Sequence, residues 1–309
     1  MQSPSHFSAY AHGKLLLTGE YLVMNGASAL ALPTQPGQWL EVSPGEPGHI
    51  HWSSRDEKGN VWLEADFFLS TFDILTATDT AVATRLAQIF QAIRSMSPDW
   101  CTTGGYQIRT KLEFSRDWGL GSSSTLISNL ASWAGIDPYA LLAATFGGSG
   151  YDIACAKATG GIVYQIVDGR PTVAAANLPV AIRPFLYFIY LGKKQDSRQG
   201  IAHYKQKLQN LPKDAVEKIS GITTALLTAV EPIRWLDLLE AHECAISEWL
   251  GLPRVQHLYF EDFPGVVKSL GAWGGDFVLA FSEESKDNVQ HYFNERGFSV
   301  VLPYEKLIR

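Results

Sequence analysis

The first third of the chain alternates apolar and polar residues in short runs, a pattern that predicts strands. "GKLLLTGEYLVMNGASALALP" (13–33) is rich in leucine and carries an Asn25–Gly26 turn signal, and "QWLEV", "HIHW" and "VWLEADFF" follow between Pro, Gly and Ser clusters. The period then changes. In "TAVATRLAQIFQAIRSM" (80–96), Val82, Leu86, Ile89, Phe90 and Ile93 fall on one face of a 3.6-residue repeat and predict a helix. "GGYQIRTKLEF" alternates like a half-buried strand, and "GLGSSSTLISNLASWAG" (119–135) runs from glycines into a second helix.

Beyond an alanine-rich segment at 152–158, "IVYQIV" reads as a strand and "DGRPT" as a turn that marks a domain boundary. "FLYFIYLG", "GAWGGDFVLAF" and "FSVVLPY" read as strands, and "DAVEKISGITTALLTAV" and "WLDLLEAHECAISEWL" as helices. Strands and helices without a steady βαβ rhythm favour α+β over a doubly wound sheet. The 309-residue length suits two domains.

Composition narrows the classes of function. Apolar residues make up 46% of the chain and aromatics 12%, enough for ordered cores. A net charge of −6 gives no electrostatic reason to expect nucleic acid or an anionic membrane as partner. Cys101, Cys155 and Cys244 are far apart and lack C-x-x-C spacing, which speaks against a disulfide framework or a zinc site. The N-terminal stretch shows no signal-peptide pattern, and the most apolar window, "LPVAIRPFLYFIYLG", is broken by Arg183 and Pro184. The expectation is a soluble, cytoplasmic protein.

Candidate chemistry sits in glycine-rich segments. "GLGSSS" places small residues before a long helix, where backbone N–H groups and the helix dipole favour an anion and hydroxyls can hold phosphate or Mg²⁺. A serine-capped helix after a flexible turn explains the same residues. Neither a Walker A loop nor a nucleophile elbow is present. Lys14 stands in an apolar strand, either snorkelling to water or meeting an anion. In "GGSGYDIACAKATGG" (147–161), Asp152 is either the N-cap of a helix or a base; capping leaves Gly147, Gly148 and Gly150 unexplained.

The order of these segments from Gly13 to Asp276 resembles the GHMP kinase superfamily, which includes galactokinase, homoserine kinase, mevalonate kinase and phosphomevalonate kinase. The resemblance implies a two-domain α+β fold, with an ATP-binding domain over 1–172 and a C-terminal α+β domain over 173–309, the nucleotide and acceptor binding between them. It implies ATP and Mg²⁺ as cofactors and transfer of the γ-phosphoryl group to a hydroxyl or phosphate of a small molecule. Gly119, Leu120, Gly121, Ser122, Ser123 and Ser124 then match the phosphate loop, with Ser123 as the Mg²⁺ ligand. Asp152 matches the catalytic base, and Lys14 the lysine beside the transferring phosphate.

Glu20 and Tyr21 of "GEY", Gly150 of "GSGYD", and Gly274, Gly275 and Asp276 of "GAWGGD" match acceptor-side positions. They are closer to phosphomevalonate kinase than to mevalonate kinase. "YLGKKQDSR" is similar to a further segment of that branch and places Lys193, Lys194, Ser197 and Arg198 near a phosphorylated acceptor; a solvated loop explains the same charges. The expected pathway is mevalonate and isoprenoid synthesis, and the expected assembly a monomer or homodimer.

The chain departs from the family pattern in three places. No acid or histidine lies between Asp137 and Asp152, where mevalonate kinases carry a second metal ligand; Trp273 replaces a small residue; and Ser124 and Thr125 stand where alanines are common. A decarboxylase acting on mevalonate diphosphate and a non-catalytic nucleotide-binding homologue are the alternatives. Arg109, Lys111 and Arg116 either touch a ligand or line a strand. His12 is the one histidine near a motif, and the reading favours a structural role for it.

Overall fold

The computed structural model describes residues 6–193, 197–273 and 276–309, with the backbone alone for Ser197, Arg198 and Asn210. Lys194, Gly274 and Gly275, and the side chains of Ser197 and Arg198, therefore lie outside the described residues. By internal contacts the chain forms two compact units that interleave in sequence. The first takes residues up to Gly13, Pro36–Arg116 and Gly121–Lys157; the second takes Lys14–Gln35, Asp117–Leu120 and Ala158–Arg309.

The elements begin with β1 (Phe7–Leu16), β2 (Ala29–Pro44), β3 (His49–Arg55), β4 (Val61–Phe68), β5 (Ile74–Ala77), α1 (Thr80–Met96) and β6 (Tyr106–Leu112). Helices α2 (Ser122–Ala134), α3 (Pro138–Thr145) and α4 (Tyr151–Lys157) complete the first unit. Its strands pair in the order β5-β4-β3-β6-β2, all antiparallel except β3 with β6. Alternation selects the buried face: Leu63, Ala65 and Phe67 of β4 and Ile108 and Leu112 of β6 are buried. Leu63, Ala65, Phe67 and Ile108 share a core with Leu86, Ile89, Phe90 and Ile93 of α1. Phe90 packs within 6.0 Å of the rings of Trp52, Phe67, Phe72 and Trp100.

Helix α1 spans the predicted residues, and its start has a local cause. Asp79 has extended backbone, and its side chain accepts from Val82 N–H at 3.1 Å. Asp79→Ala is expected to cost about 1 kcal/mol of unfolding free energy by urea titration, the usual value of such a cap. Helix α3 goes beyond the sequence reading and starts in the same way, at Asp137 followed by Pro138.

The second unit continues with β7 (Ile162–Val167), β8 (Arg170–Ala175), β9 (Leu186–Tyr190), α5 (Ser197–Lys207), α6 (Ala215–Thr228), α7 (Pro232–Leu250) and α8 (Val255–Tyr259). It ends with β10 (Val266–Ser269), β11 (Phe277–Phe281), α9 (Lys286–Glu295), β12 (Val301–Pro303) and α10 (Tyr304–Leu307). An antiparallel sheet runs β10-β11-β9-β12, with Leu279 opposite Phe188. The N-terminal part of β2 pairs with β7, and β7 with β8. "DGRPT" is thus a hairpin: Asp168 and Gly169 turn, and Arg170, Pro171 and Thr172 already pair with β7.

The prolines of "ALPTQPGQ" separate no strands. Strand β2 runs through them, and Pro33 and Pro36 fall between the stretch paired with β7 (29–31) and the stretch paired with β6 (38–44). No helix among the described residues is long and apolar enough to cross a membrane.

Candidate functional site

In the second unit Lys14 is fastened to the glycine loop at both ends. Its backbone N–H donates to the Leu120 carbonyl at 3.0 Å, and its ammonium donates to the Gly119 carbonyl at 2.9 Å. Gly119 has φ 63, and a Cβ built there would fall on the Asp276 carboxylate. Only glycine meets both demands, the left-handed backbone and the close approach. Lys14, Gly119 and Asp276, distant in sequence, therefore meet in one unit. Around them Trp118 lies edge-on to Phe277 at 5.5 Å, and Tyr190 lies 5.6 Å from Phe277. Burial first, then the Asp117 and Asp276 charges, push the Tyr190 phenol up.

Leu120 joins directly to Gly121, the left-handed N-cap of α2 (φ 87). No side chain caps this helix, so the serines are not there as caps. Its first-turn N–H groups are the kind that an external anion satisfies. The three serines differ. Ser123 is exposed and Ser122 half-buried, whereas Ser124 is buried and donates its hydroxyl to the Gly121 carbonyl at 2.9 Å. Thr125, the other departure from alanine, donates to Gln38 Oε1 at 2.7 Å and fixes α2 on β2. Among the described residues no three His, Cys, Asp or Glu side chains cluster to hold a metal.

Asp152 belongs to the first unit and is the second residue of α4, not its cap. Gly150, just ahead, has φ 88. The half-buried Asp152 carboxylate accepts from Ile153 N–H at 3.0 Å. It also acts on Tyr139, whose phenol is pushed up by burial first, then by the charges of Asp137, Asp152 and Cys155.

The other expected residues divide. Lys193 is exposed. Tyr21 is buried and stacks on Tyr204 at 5.5 Å. Trp273 is buried in a left-handed turn (φ 50). Arg109 and Lys111 are exposed on β6, and Arg116 covers the Trp62 ring at 3.6 Å. His12 packs edge-on against Tyr10. Glu20 has no exposed surface: Lys268 and His242 surround its carboxylate inside the second unit.

The whole architecture matches solved structures, several of them kinases. A Lin0012 protein from Listeria innocua superposes with a TM-score of 0.70 at 16% identity, over 95% of this chain and 95% of that one. L. major mevalonate kinase in complex with R-mevalonate gives 0.68 at 15%, over 96% and 93%. Streptococcus pneumoniae phosphomevalonate kinase in complex with phosphomevalonate and AMPPNP gives 0.68 at 16%, over 96% and 99%. The chain has the GHMP kinase fold. No family model matches the sequence, and neither does any curated protein. Within the GHMP kinase fold the matched structures also include a galactokinase and a heptose 1-phosphate kinase, so the fold alone does not select an acceptor.

Sequence reasoning missed His242, Glu243 and Lys268. A signal was present. His242 lies on the buried stripe of α7 with Trp235, Leu238, Leu239 and Ile246, and Lys268 interrupts a short apolar strand. Titratable groups on such stripes need buried partners.

Proposed function

We propose that the chain is an ATP-dependent phosphotransferase of the GHMP kinase type, with mevalonate or phosphomevalonate, intermediates of isoprenoid synthesis, as acceptor. The observation that carries the reading is Lys14: its ammonium is fixed on the carbonyl of Gly119, two residues ahead of an uncapped helix N-terminus. Phosphoryl transfer needs positioning and charge neutralisation more than covalent catalysis, and such an arrangement suits it.

The residues present fit the implied ligands. Left-handed Gly121 and the uncapped first turn of α2 offer N–H donors to a polyphosphate, and the exposed Ser123 hydroxyl is a hard oxygen donor of the type Mg²⁺ takes. Mg²⁺, when bound, supplies charge neutralisation on the phosphates, and Ser123 is the residue that would hold it. Ser124 contributes backbone only, since its hydroxyl is turned inward.

With a hydroxyl acceptor such as that of mevalonate, Asp152 takes the hydroxyl proton; a phosphate acceptor attacks through an oxygen already ionised. Lys14 compensates negative charge, and Asp276, Gly150, Lys193 and Ser197 lie on the acceptor side. In this assignment 1–172 is the ATP-binding domain and 173–309 the C-terminal α+β domain. A second reading, nucleotide binding without turnover, is favoured by one feature, the lack of any acid or histidine between Asp137 and Asp152.

The test is Mg²⁺-dependent ADP release from ATP with mevalonate, phosphomevalonate, homoserine, galactose and a heptose phosphate. Turnover with mevalonate or phosphomevalonate supports the reading. Turnover with another acceptor keeps the kinase and replaces the pathway. Tight ATP binding without turnover on any of them favours the second reading, and no ATP binding overturns both.

A further inference from the structure

Four titratable side chains that are fully buried meet in the core of the second unit: Glu20, His242, Glu243 and Lys268. Lys268 donates to Glu20 Oε1 at 2.5 Å and to the Ser269 carbonyl at 2.8 Å. Glu243 accepts from Ser269 N–H at 3.1 Å and from its hydroxyl at 2.9 Å. His242 Nε2 accepts from Gly19 N–H at 3.1 Å and lies 3.2 Å from Glu20 Oε2. Among the described residues, a further charge that bears on Glu243 is Arg254, itself paired with Glu240 at 3.1 Å.

The charges do not balance without a proton. One ammonium faces two carboxylates, and an uncompensated charge in a dry core is strongly disfavoured. The geometry shows where the proton belongs. Glu20 Oε2 and His242 Nε2 face each other, and an ionised carboxylate and a neutral ring nitrogen are both acceptors. A hydrogen on Nε2 would oppose Gly19 N–H, which assigns the shared proton to Glu20 and leaves the ring hydrogen on Nδ1, a buried atom without a hydrogen-bond partner among the described residues.

We propose that Glu20, His242, Glu243 and Lys268 form a one-proton lock that positions the two glycine segments of the site. Adjacent residues of α7 hold both: His242 holds Gly19, five residues after Lys14, and Glu243 holds Ser269, at the start of the segment that leads to Asp276. Glu20 is thereby a positioning residue and not an acceptor contact. Burial pushes its carboxyl up to about 7 against the opposing charge of Lys268, and burial, then Lys268, hold His242 well below the usual histidine range. The lock rests on the proposed function only in taking Lys14 and Asp276 as site residues.

The test needs no substrate, so it stands or falls apart from the kinase reading. Glu20→Gln mimics the protonated acid, offering an N–H toward His242 and a carbonyl to Lys268. Urea unfolding of both proteins is measured from pH 5 to 8.5. A folded-state acid raised above its unfolded value contributes stability that is lost as pH rises toward the folded pKa. The wild-type unfolding constant, relative to the variant's, is therefore expected to climb about tenfold per pH unit up to about 7 and then level off. A flat ratio overturns the lock.

In the wild type, amide exchange over 15–22 and 266–273 should accelerate together from pH 5 to about 7 beyond the intrinsic rise and then follow it, and should not do so in Glu20→Gln. Acceleration of one segment alone overturns the positioning role. If Glu20→Gln does not fold, infrared spectroscopy decides. The wild type must show the carbonyl band of a buried protonated acid at pH 6 and lose it as pH rises past about 7, and absence of that band at pH 6 overturns the lock.

Discussion

Asp152→Asn is expected to lower turnover on the accepted substrate by ~10²–10⁴-fold, the usual worth of a positioned general base, with nucleotide affinity little changed. The substitution is close to neutral for the fold. Asparagine keeps an oxygen that can accept from Ile153 N–H, the bond that Asp152 makes at 3.0 Å. What it loses is the charge at the start of a short helix, a contribution of ~0.3–1 kcal/mol. The carboxamide cannot take a proton from an acceptor hydroxyl. Single-turnover kinetics, calorimetric ATP binding and the thermal midpoint, taken together, separate chemistry from stability. Turnover within a few-fold of wild type would reduce Asp152 to a helix-terminus residue.

Gly119→Ala should weaken ATP binding at least ~tenfold and cost about 1–2 kcal/mol of stability from the left-handed backbone alone. The new methyl group would meet the Asp276 carboxylate and displace the carbonyl that holds the Lys14 ammonium. A double-mutant cycle isolates the contact. Asp276→Ala removes the nearest atoms, Oδ2 and Cγ, and leaves only Cβ at 2.9 Å, so the double variant should recover most of the loss due to collision and keep the backbone part. Strict additivity of the two single changes, read by calorimetry and urea titration, would mean that Gly119 is required for its conformation alone.

Both effects depend on residues that the motifs point out, yet the motifs state neither contact. The lysine and the glycine loop are recognisable in sequence, while the bond between Lys14 and the Gly119 carbonyl joins residues 105 positions apart. The three serines look alike in the sequence, but the fold exposes Ser123 and turns Ser124 onto the Gly121 carbonyl. Helical phase on α2 makes that choice, since Ser124 falls on the face packed against the core. Glu20 shows the limit most clearly. Its place in a Gly-Glu-Tyr motif implies an acceptor contact, whereas its carboxylate faces Lys268, 248 residues away.

By itself the sequence determined what local periodicity and backbone chemistry control. That includes α1 from its 3.6-residue repeat, α2 from its glycine approach, the alternating strands of the first unit, and the order of segments that resembles a GHMP kinase. Tertiary structure decided which distant groups share a core. It ran β2 through two prolines, because they fall between its two pairings, and made a hairpin of "DGRPT". It also brought two carboxylates, one lysine and one histidine into the same dry interior. Hydrophobic burial is non-directional and marks only which face turns inward, so partners across the core are set by topology. The cost of burying charge then requires those partners to balance, a condition that can be read only once the chain is folded.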